Sequence, residues 1–301
     1  IIGVFGNLLV FYIIFRFSIM KNVANIYTMN LVISNLIYVT WIPFYLAEEY
    51  IGYWSFGSTF CQVHKYAGYV SYTVTNILVT IISADRYMAV CHPSRLNIFE
   101  TYRFSMISSI FVWPLALLFR FPMFSYAMIK NTSCSLEWPD HIKNTWFVVN
   151  AVVGFLITSV LVLVMYLFVI IKLKKNESEG TTLGTVSMST NRATTNLALM
   201  VALVYLLCWT PYWFISVIRR YADENESMKN RFLLKLSLAI GIGYAAISPV
   251  LYVIFDAKFK KCFNNIFGIK NTRIRRITTD ALNLETRKES NDTTNTQTTQ
   301  S

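Results

Sequence analysis

The sequence predicts an all-α membrane protein, a seven-transmembrane helix bundle with a short amphipathic eighth helix. Three observations lead there. Of 301 residues, 54% are apolar and only 14% charged. The mean hydropathy is +0.44, too oily for a domain that hides its apolar side chains from water. Seven apolar stretches of bilayer length are bounded by charged or turn residues. A hydrocarbon core of roughly 30 Å calls for about 20 apolar residues per helix. Backbone in lipid must satisfy its hydrogen bonds within its own segment, so each stretch is read as a helix.

The first stretch, Ile1–Phe17, is short and begins without an initiator Met or hydrophilic leader, so a fragment lacking its extracellular N-terminus is expected. Asn25–Ala47 follows, then Cys61–Val90, which closes on Asp85-Arg86-Tyr87. Phe104–Phe124, Trp146–Leu173, Thr194–Ile218 and Phe232–Phe255 complete the seven, the last two containing Pro211 and Pro249. The amphipathic helix is placed at Lys258–Phe267. After Gly268 the chain turns polar and rich in Thr, Asn and Gln, which separates a membrane domain, 1–268, from a disordered cytoplasmic tail, 269–301.

An odd number of spans puts the two chain ends on opposite sides. With the tail inside, the inner loops and helix ends hold Arg16, Lys21, Arg86, Arg95, Arg103, Lys172, Lys174, Lys175, Arg192, Lys258, Lys260 and Lys261. Lys65, Arg120, Lys130, Lys143, Arg219, Arg220, Lys229, Arg231 and Lys235 are then outside, with Glu48, Glu49, Glu137, Asp140, Asp223, Glu224 and Glu226. Lys and Arg are in only slight excess inside, the direction of the positive-inside rule, and with those acids outside most of the net charge of +11 falls inside. A basic inner face suits anionic membrane lipid and an acidic cytosolic partner, not nucleic acid. Cys61 and Cys134 both fall on the outer side, where a disulfide is expected, the alternative being two buried thiols. Cys91, Cys208 and Cys262 are expected to be reduced, and Cys262, in Phe-Lys-Lys-Cys-Phe, is a palmitoylation candidate.

An ionisable pair at a membrane helix end is costly unless the charges meet, so Asp85 is expected to hold Arg86. Around it stand Gly6-Asn7-Leu8-Leu9-Val10 in the first span and Asn30-Leu31-Val32-Ile33-Ser34-Asn35-Leu36 in the second. Further on come Trp54-Ser55-Phe56-Gly57, Trp113, Cys208-Trp209-Thr210-Pro211-Tyr212 and Ser248-Pro249-Val250-Leu251-Tyr252. Over nearly its whole length the chain resembles the rhodopsin-like (class A) G-protein-coupled receptors. Ile42-Pro43-Phe44, Cys134-Ser135-Leu136-Glu137-Trp138-Pro139 and Tyr166–Lys174 make it most similar to peptide receptors of the somatostatin, opioid and allatostatin-C group. The resemblance implies an extracellular neuropeptide ligand, a heterotrimeric G protein of the inhibitory Gi/o class, and a plasma-membrane location with the N-terminus outside. It also implies a switch: ligand presses on Trp209, the sixth helix swings about Pro211, and a cytoplasmic cleft lined by Arg86, Tyr166 and Tyr252 opens, with Asp85, Tyr87, Ser248 and Pro249 part of the same apparatus.

The chain departs from the family pattern in three places. Asn35 and Ser248 stand where the family has Asp and Asn. A sodium site among Asn35, Ser71, Thr75 and Ser248 would therefore lack its charged ligand, and Asn35 is read instead as a hydrogen-bonding residue between spans one, two and seven. Thr158, Asn76 and Tyr205 replace apolar residues at mid-membrane and suggest an interhelical polar network. Gly68 replaces the aspartate that anchors a ligand amine in somatostatin and opioid receptors. A cationic ligand would then use Glu48, Glu49, Glu137 or Asp140, a carboxylate would use Arg219 or Arg220, and Tyr69, Tyr72, Trp138, Trp209, Tyr212 and Trp213 would line the pocket. For each charge the plainer reading is a solvated loop residue.

Asn131 and Asn225 begin outer-loop glycosylation sequons. Thr293, Thr294, Thr296, Thr298 and Thr299 form a phosphorylation cluster suited to an arrestin-type partner. Transporters and intramembrane enzymes want ionisable groups at mid-membrane, and almost none are found there. No catalytic, metal-binding or cofactor motif is present, and Ile242 occupies the position where retinal would need a Lys. An orphan or chemosensory receptor for a small lipophilic ligand is the alternative reading.

Overall fold

The computed structural model describes residues 1–20, 22–93, 102–178, 185–221 and 228–268. Helix α1 runs Ile2–Arg16, α2 Val23–Ile51, α3 Ser58–Cys91 and α4 Tyr102–Tyr126. Helix α5 is built from Asp140–Ala151, one π-helical turn at Val152–Leu156, and Ile157–Ser178. Helices α6, α7 and α8 span Thr185–Tyr221, Met228–Phe255 and Ala257–Ile266. Among the described residues, α2 to α7 are long and apolar enough to cross a bilayer, and α1 is a shorter apolar helix. The protein is a multi-pass helical membrane bundle.

Ile1–Phe259 forms one compact unit and Lys260–Ser301 a second, described only through residue 268. The tail, with its Thr cluster, and Asn225 lie outside the described residues.

Helices α2 to α7 extend past the predicted spans at one or both ends. Hydropathy reads the bilayer, whereas helical hydrogen bonds continue into water wherever a cap closes them. Asn22 caps α2 by accepting from the Asn25 N–H at 3.0 Å. Gly52, at φ +84°, ends that helix in the left-handed conformation that suits glycine. Asp256 starts α8 by accepting from the N–H groups of Lys258 at 2.8 Å and Phe259 at 3.0 Å.

The bundle is oily on both sides of its helices. Leu31, Val74 and Leu78 are fully buried between them, while Phe5, Phe111, Leu118 and Leu207 face outward. Lipid tails are as apolar as Leu, so close packing and interhelical hydrogen bonds hold the helices together. Trp113 Nε1 donates to Asn30 Oδ1 at 3.0 Å, and the Tyr27 and Ser108 hydroxyls meet at 3.1 Å, joining α2 to α4 twice.

One element is absent from the sequence reading. Between α4 and α5, strands β1 (Ala127–Lys130) and β2 (Ser133–Leu136) pair antiparallel with Lys130 opposite Ser133. Asn131 (φ 46°) and Thr132 (φ 68°) make the tight left-handed turn between them. Cys134 of β2 is disulfide-bonded to Cys61 of α3, with Cα atoms 5.7 Å apart. Trp54 donates its backbone N–H to Thr132 O at 2.7 Å and packs beside the disulfide with Phe44, Phe56 and Phe60 around it. The hairpin is thereby held to the end of the bundle.

Candidate functional site

Next to that disulfide the bundle opens into a cavity of about 350 Å³, at the lower end of the ~300–1,000 Å³ of small-ligand sites. His64 and Lys65 of α3, one turn beyond Cys61, and Leu136 and Trp138, just after Cys134, form part of its wall. Tyr69 and Tyr72 of α3, Trp146 and Phe147 of α5, and Trp209, Tyr212 and Trp213 of α6 supply the aromatic lining. Trp138 stacks on Trp146 at 5.2 Å, and Tyr72 meets Trp209 edge-on at 4.5 Å. Gly241 of α7 makes room for the Trp209 ring, since a Cβ there would come within 3.0 Å of Cε3. Gly68 also lines the cavity, and a Cβ added to it would meet open space.

The sequence-derived lining residues Tyr69, Tyr72, Trp138, Trp209, Tyr212 and Trp213 thus converge on one cavity. Glu48, Glu49, Glu137, Asp140 and Arg219 do not line it. Glu48 accepts from the backbone N–H of Cys134 at 2.7 Å, which fixes the hairpin against α2. Glu49 pairs with Lys235. Glu137 pairs with Lys130 at 2.6 Å and accepts from Ser135 at 3.1 Å. The Lys130 ammonium holds the Glu137 carboxyl below the usual range.

Arg120, counted on the outer side from the sequence, was not among the residues expected to line the cavity. It is 1% exposed and lines the cavity. Its Nε donates to Thr73 Oγ1 at 2.5 Å and its Nη1 to Asn150 Oδ1, and its guanidinium lies 4.9 Å from the Phe119 ring centre. The available signal was an Arg inside an apolar run, which in a membrane helix marks function by default.

The cavity floor connects to mid-membrane. Trp213 Nε1 donates to the Tyr72 hydroxyl at 2.8 Å, and that hydroxyl donates to Gly154 O at 3.3 Å. Asn76 Nδ2 donates to the same carbonyl. Gly154 sits in the π-helical turn of α5, where the wider turn leaves a carbonyl available to other helices. The expected network therefore exists through Asn76, but Tyr72, Trp213 and Gly154 are its other members. Thr158 bonds within its own helix, to Phe155 O at 2.9 Å. Tyr205 contributes its ring, 5.3 Å from Tyr244.

Deeper still, Asn35 Nδ2 donates to Ser248 Oγ at 3.0 Å and to Asn7 Oδ1 at 3.3 Å, while Asn7 donates to Gly3 O and Ala245 O, each at 2.7 Å. One amide thus links α1, α2 and α7. Thr75 meets Ser34 at 3.0 Å, and Ser34 donates to the Ser71 carbonyl at 2.7 Å. At the opposite end of α3, Arg86 donates to Asp85 from both Nε, at 2.9 Å, and Nη2. Tyr87 contacts His92 at 3.1 Å, and Tyr166 and Tyr252 are buried. Pro211 and Pro249 interrupt the ladders of α6 and α7. Asn131 is exposed at the hairpin tip, and Cys262 is a buried thiol of α8.

The profile of the family described as "7 transmembrane receptor (rhodopsin family)" matches residues 6–252. The chain is 28% identical to somatostatin receptor type 2 of Sus scrofa over 276 residues, covering 88% of this chain and 74% of that one. It is 27% identical to the type 2 receptor of Mus musculus, with the same coverage of both chains. With somatostatin receptor type 5 of Bos taurus the identity is 26%, over 89% of this chain and 74% of the other.

Proposed function

Because the chain belongs to the rhodopsin family of seven-transmembrane receptors, and is a receptor rather than an enzyme, we propose that an extracellular neuropeptide activates it to signal through inhibitory (Gi/o-type) G proteins. The observation that carries this reading is the aromatic cavity built on Trp209, two residues before Pro211. A ligand that binds one rotation of α6 better than the other shifts the population by that difference in affinity. Helix α6 can rotate about Pro211 because the proline ring removes a ladder bond there. The somatostatin receptors named above support the peptide class.

In this reading α1 is the first of seven spans, the disulfide end faces outside, and α8 lies on the inner membrane face. Asp85 holds Arg86 in the resting state, and Tyr166 and Tyr252 line the cleft that opens. Asn131 and Asn225 carry glycans, and the phosphorylated Thr cluster recruits an arrestin-type partner. The charge of the inner face engages anionic lipid.

Receptor co-expressed with promiscuous and inhibitory G proteins and screened against a neuropeptide library is expected to lower cyclic AMP in response to at least one peptide. The predominantly aromatic lining favours a second reading, a small lipophilic ligand. Silence across amidated and disulfide-cyclised peptides together with responses to lipids would select it.

A further inference from the structure

The charge of the cavity wall is one-sided. Lys65, Arg120, Lys143 and Arg220 line it, and among the described residues no carboxylate does. Three of these cations stay near water or are already engaged: Lys143 is exposed, Lys65 is partly exposed, and Arg220 donates to Asn144 and lies over Phe147. Arg120 is different. It is buried to 1% exposure, and among the described residues its hydrogen-bond acceptors are the neutral Thr73 and Asn150. Among the described residues no carboxylate forms an ion pair with it.

A guanidinium has five N–H donors, and two of Arg120's are used. A charge removed from water without an opposite charge is strongly disfavoured. The ring faces of Phe119, Tyr69 and Tyr72, at 4.9, 5.8 and 6.0 Å, offset part of that cost but do not neutralise it. Three further polar groups of the wall, the indole N–H groups of Trp146 and Trp209 and His64 Nδ1, are buried without a hydrogen-bond partner among the described residues. A cross-link between α3, α4 and α5 would need no charge, and a neutral side chain would serve it. A buried, unneutralised Arg on a cavity wall that also holds unused donors fits an incoming anion.

We infer that the ligand delivers a carboxylate to Arg120, carried beside an aromatic or apolar group that the Trp138, Trp146 and Trp213 rings enclose. This rests on the receptor reading above and names the chemistry of its ligand. A bidentate carboxylate is what the planar guanidinium fork recognises best. The carboxylate belongs either to a free peptide C-terminus or to an Asp or Glu side chain. Gly68 leaves the space on α3 open, and among the described residues the wall supplies no carboxylate to compete for Arg120.

The test uses purified full-length receptor and N-acetyl-tryptophan as probe, offered as free acid and as primary amide, with thermal stabilisation and competition binding as readouts. The acid is expected to bind more tightly than the amide by on the order of ten- to a hundredfold, the range of a charge-assisted hydrogen bond. Arg120→Gln should erase that preference. Should that variant fail to fold, Asn150→Asp keeps Arg120 and gives it an internal carboxylate, and it too should erase the preference.

Equal binding of acid and amide to the unaltered receptor would overturn the inference, as would a preference that survives both substitutions. Stabilisation by chloride equal to that by the acid at the same ionic strength would also overturn it, since a simple anion would then suffice. A peptide library made as acid and amide pairs, with Asp→Asn and Glu→Gln versions, separates the two sources of carboxylate. Arg120-dependent binding of the small acid with no peptide response would uphold the anion site and sink the peptide reading. Activation by amides alone, with no acidic side chain needed, would do the reverse.

Discussion

Single atoms decide several positions in this receptor. A Cβ on Gly6 would lie 2.9 Å from Pro249 Cβ, closer than real Cβ contacts, so α1 and α7 approach only because residue 6 has no side chain. Gly6→Ala is therefore expected to destabilise the receptor by about 1–3 kcal/mol through overpacking, read as a lower Tm in detergent. Gly243, with nothing within 4 Å of its added Cβ, supplies the control: Gly243→Ala should be neutral or slightly stabilising. Asn35 is a second such position. Its amide is committed to Ser248 and Asn7 and carries no charge to offset the dehydration of a cation. Replacing sodium with an inert cation at constant ionic strength should leave agonist affinity nearly unchanged, and a large shift would refute this.

Elements add what residues cannot. The hairpin β1–β2 needs φ > 0 at both turn residues, and Thr132, which is β-branched, holds φ 68° under strain. Thr132→Gly keeps the Asn131 sequon and is expected to stabilise the hairpin by about 1 kcal/mol, visible as slower hydrogen exchange across residues 127–136. The π-helical turn of α5 makes Gly154 O the common acceptor of Asn76 and Tyr72, with Trp213 of α6 bound to Tyr72. Since α6 is the element proposed to move, this chain of bonds couples the cavity to it. Asn76→Ile is expected to lower stability by about 0.6–1.7 kcal/mol, the range of interhelical bonds in membranes, and to alter basal signalling. Unchanged basal and stimulated signalling would leave Asn76 with no switching role.

At the scale of the whole molecule, the sequence by itself determined the helices and the family. Bilayer thickness and the absence of water impose a signal on every span that survives in one dimension, and Asp85-Arg86, Trp209-Thr210-Pro211 and Ser248-Pro249 are contiguous motifs. The aromatic lining was legible for the same reason: Tyr69 and Tyr72, and Tyr212 and Trp213, lie close together on their helices. What only the tertiary structure decided is which polar groups meet. Arg120 reads as one more cation near a helix end until α3 brings Thr73 and α5 brings Asn150 against it and, among the described residues, no carboxylate pairs with it. Glu48 reads as a ligand contact until β2 presents the Cys134 N–H to it. Hydropathy sums over a helix and is indifferent to partners, whereas the energy of a buried charge depends on the few atoms within about 4 Å of it. Those atoms come from segments far apart in the chain.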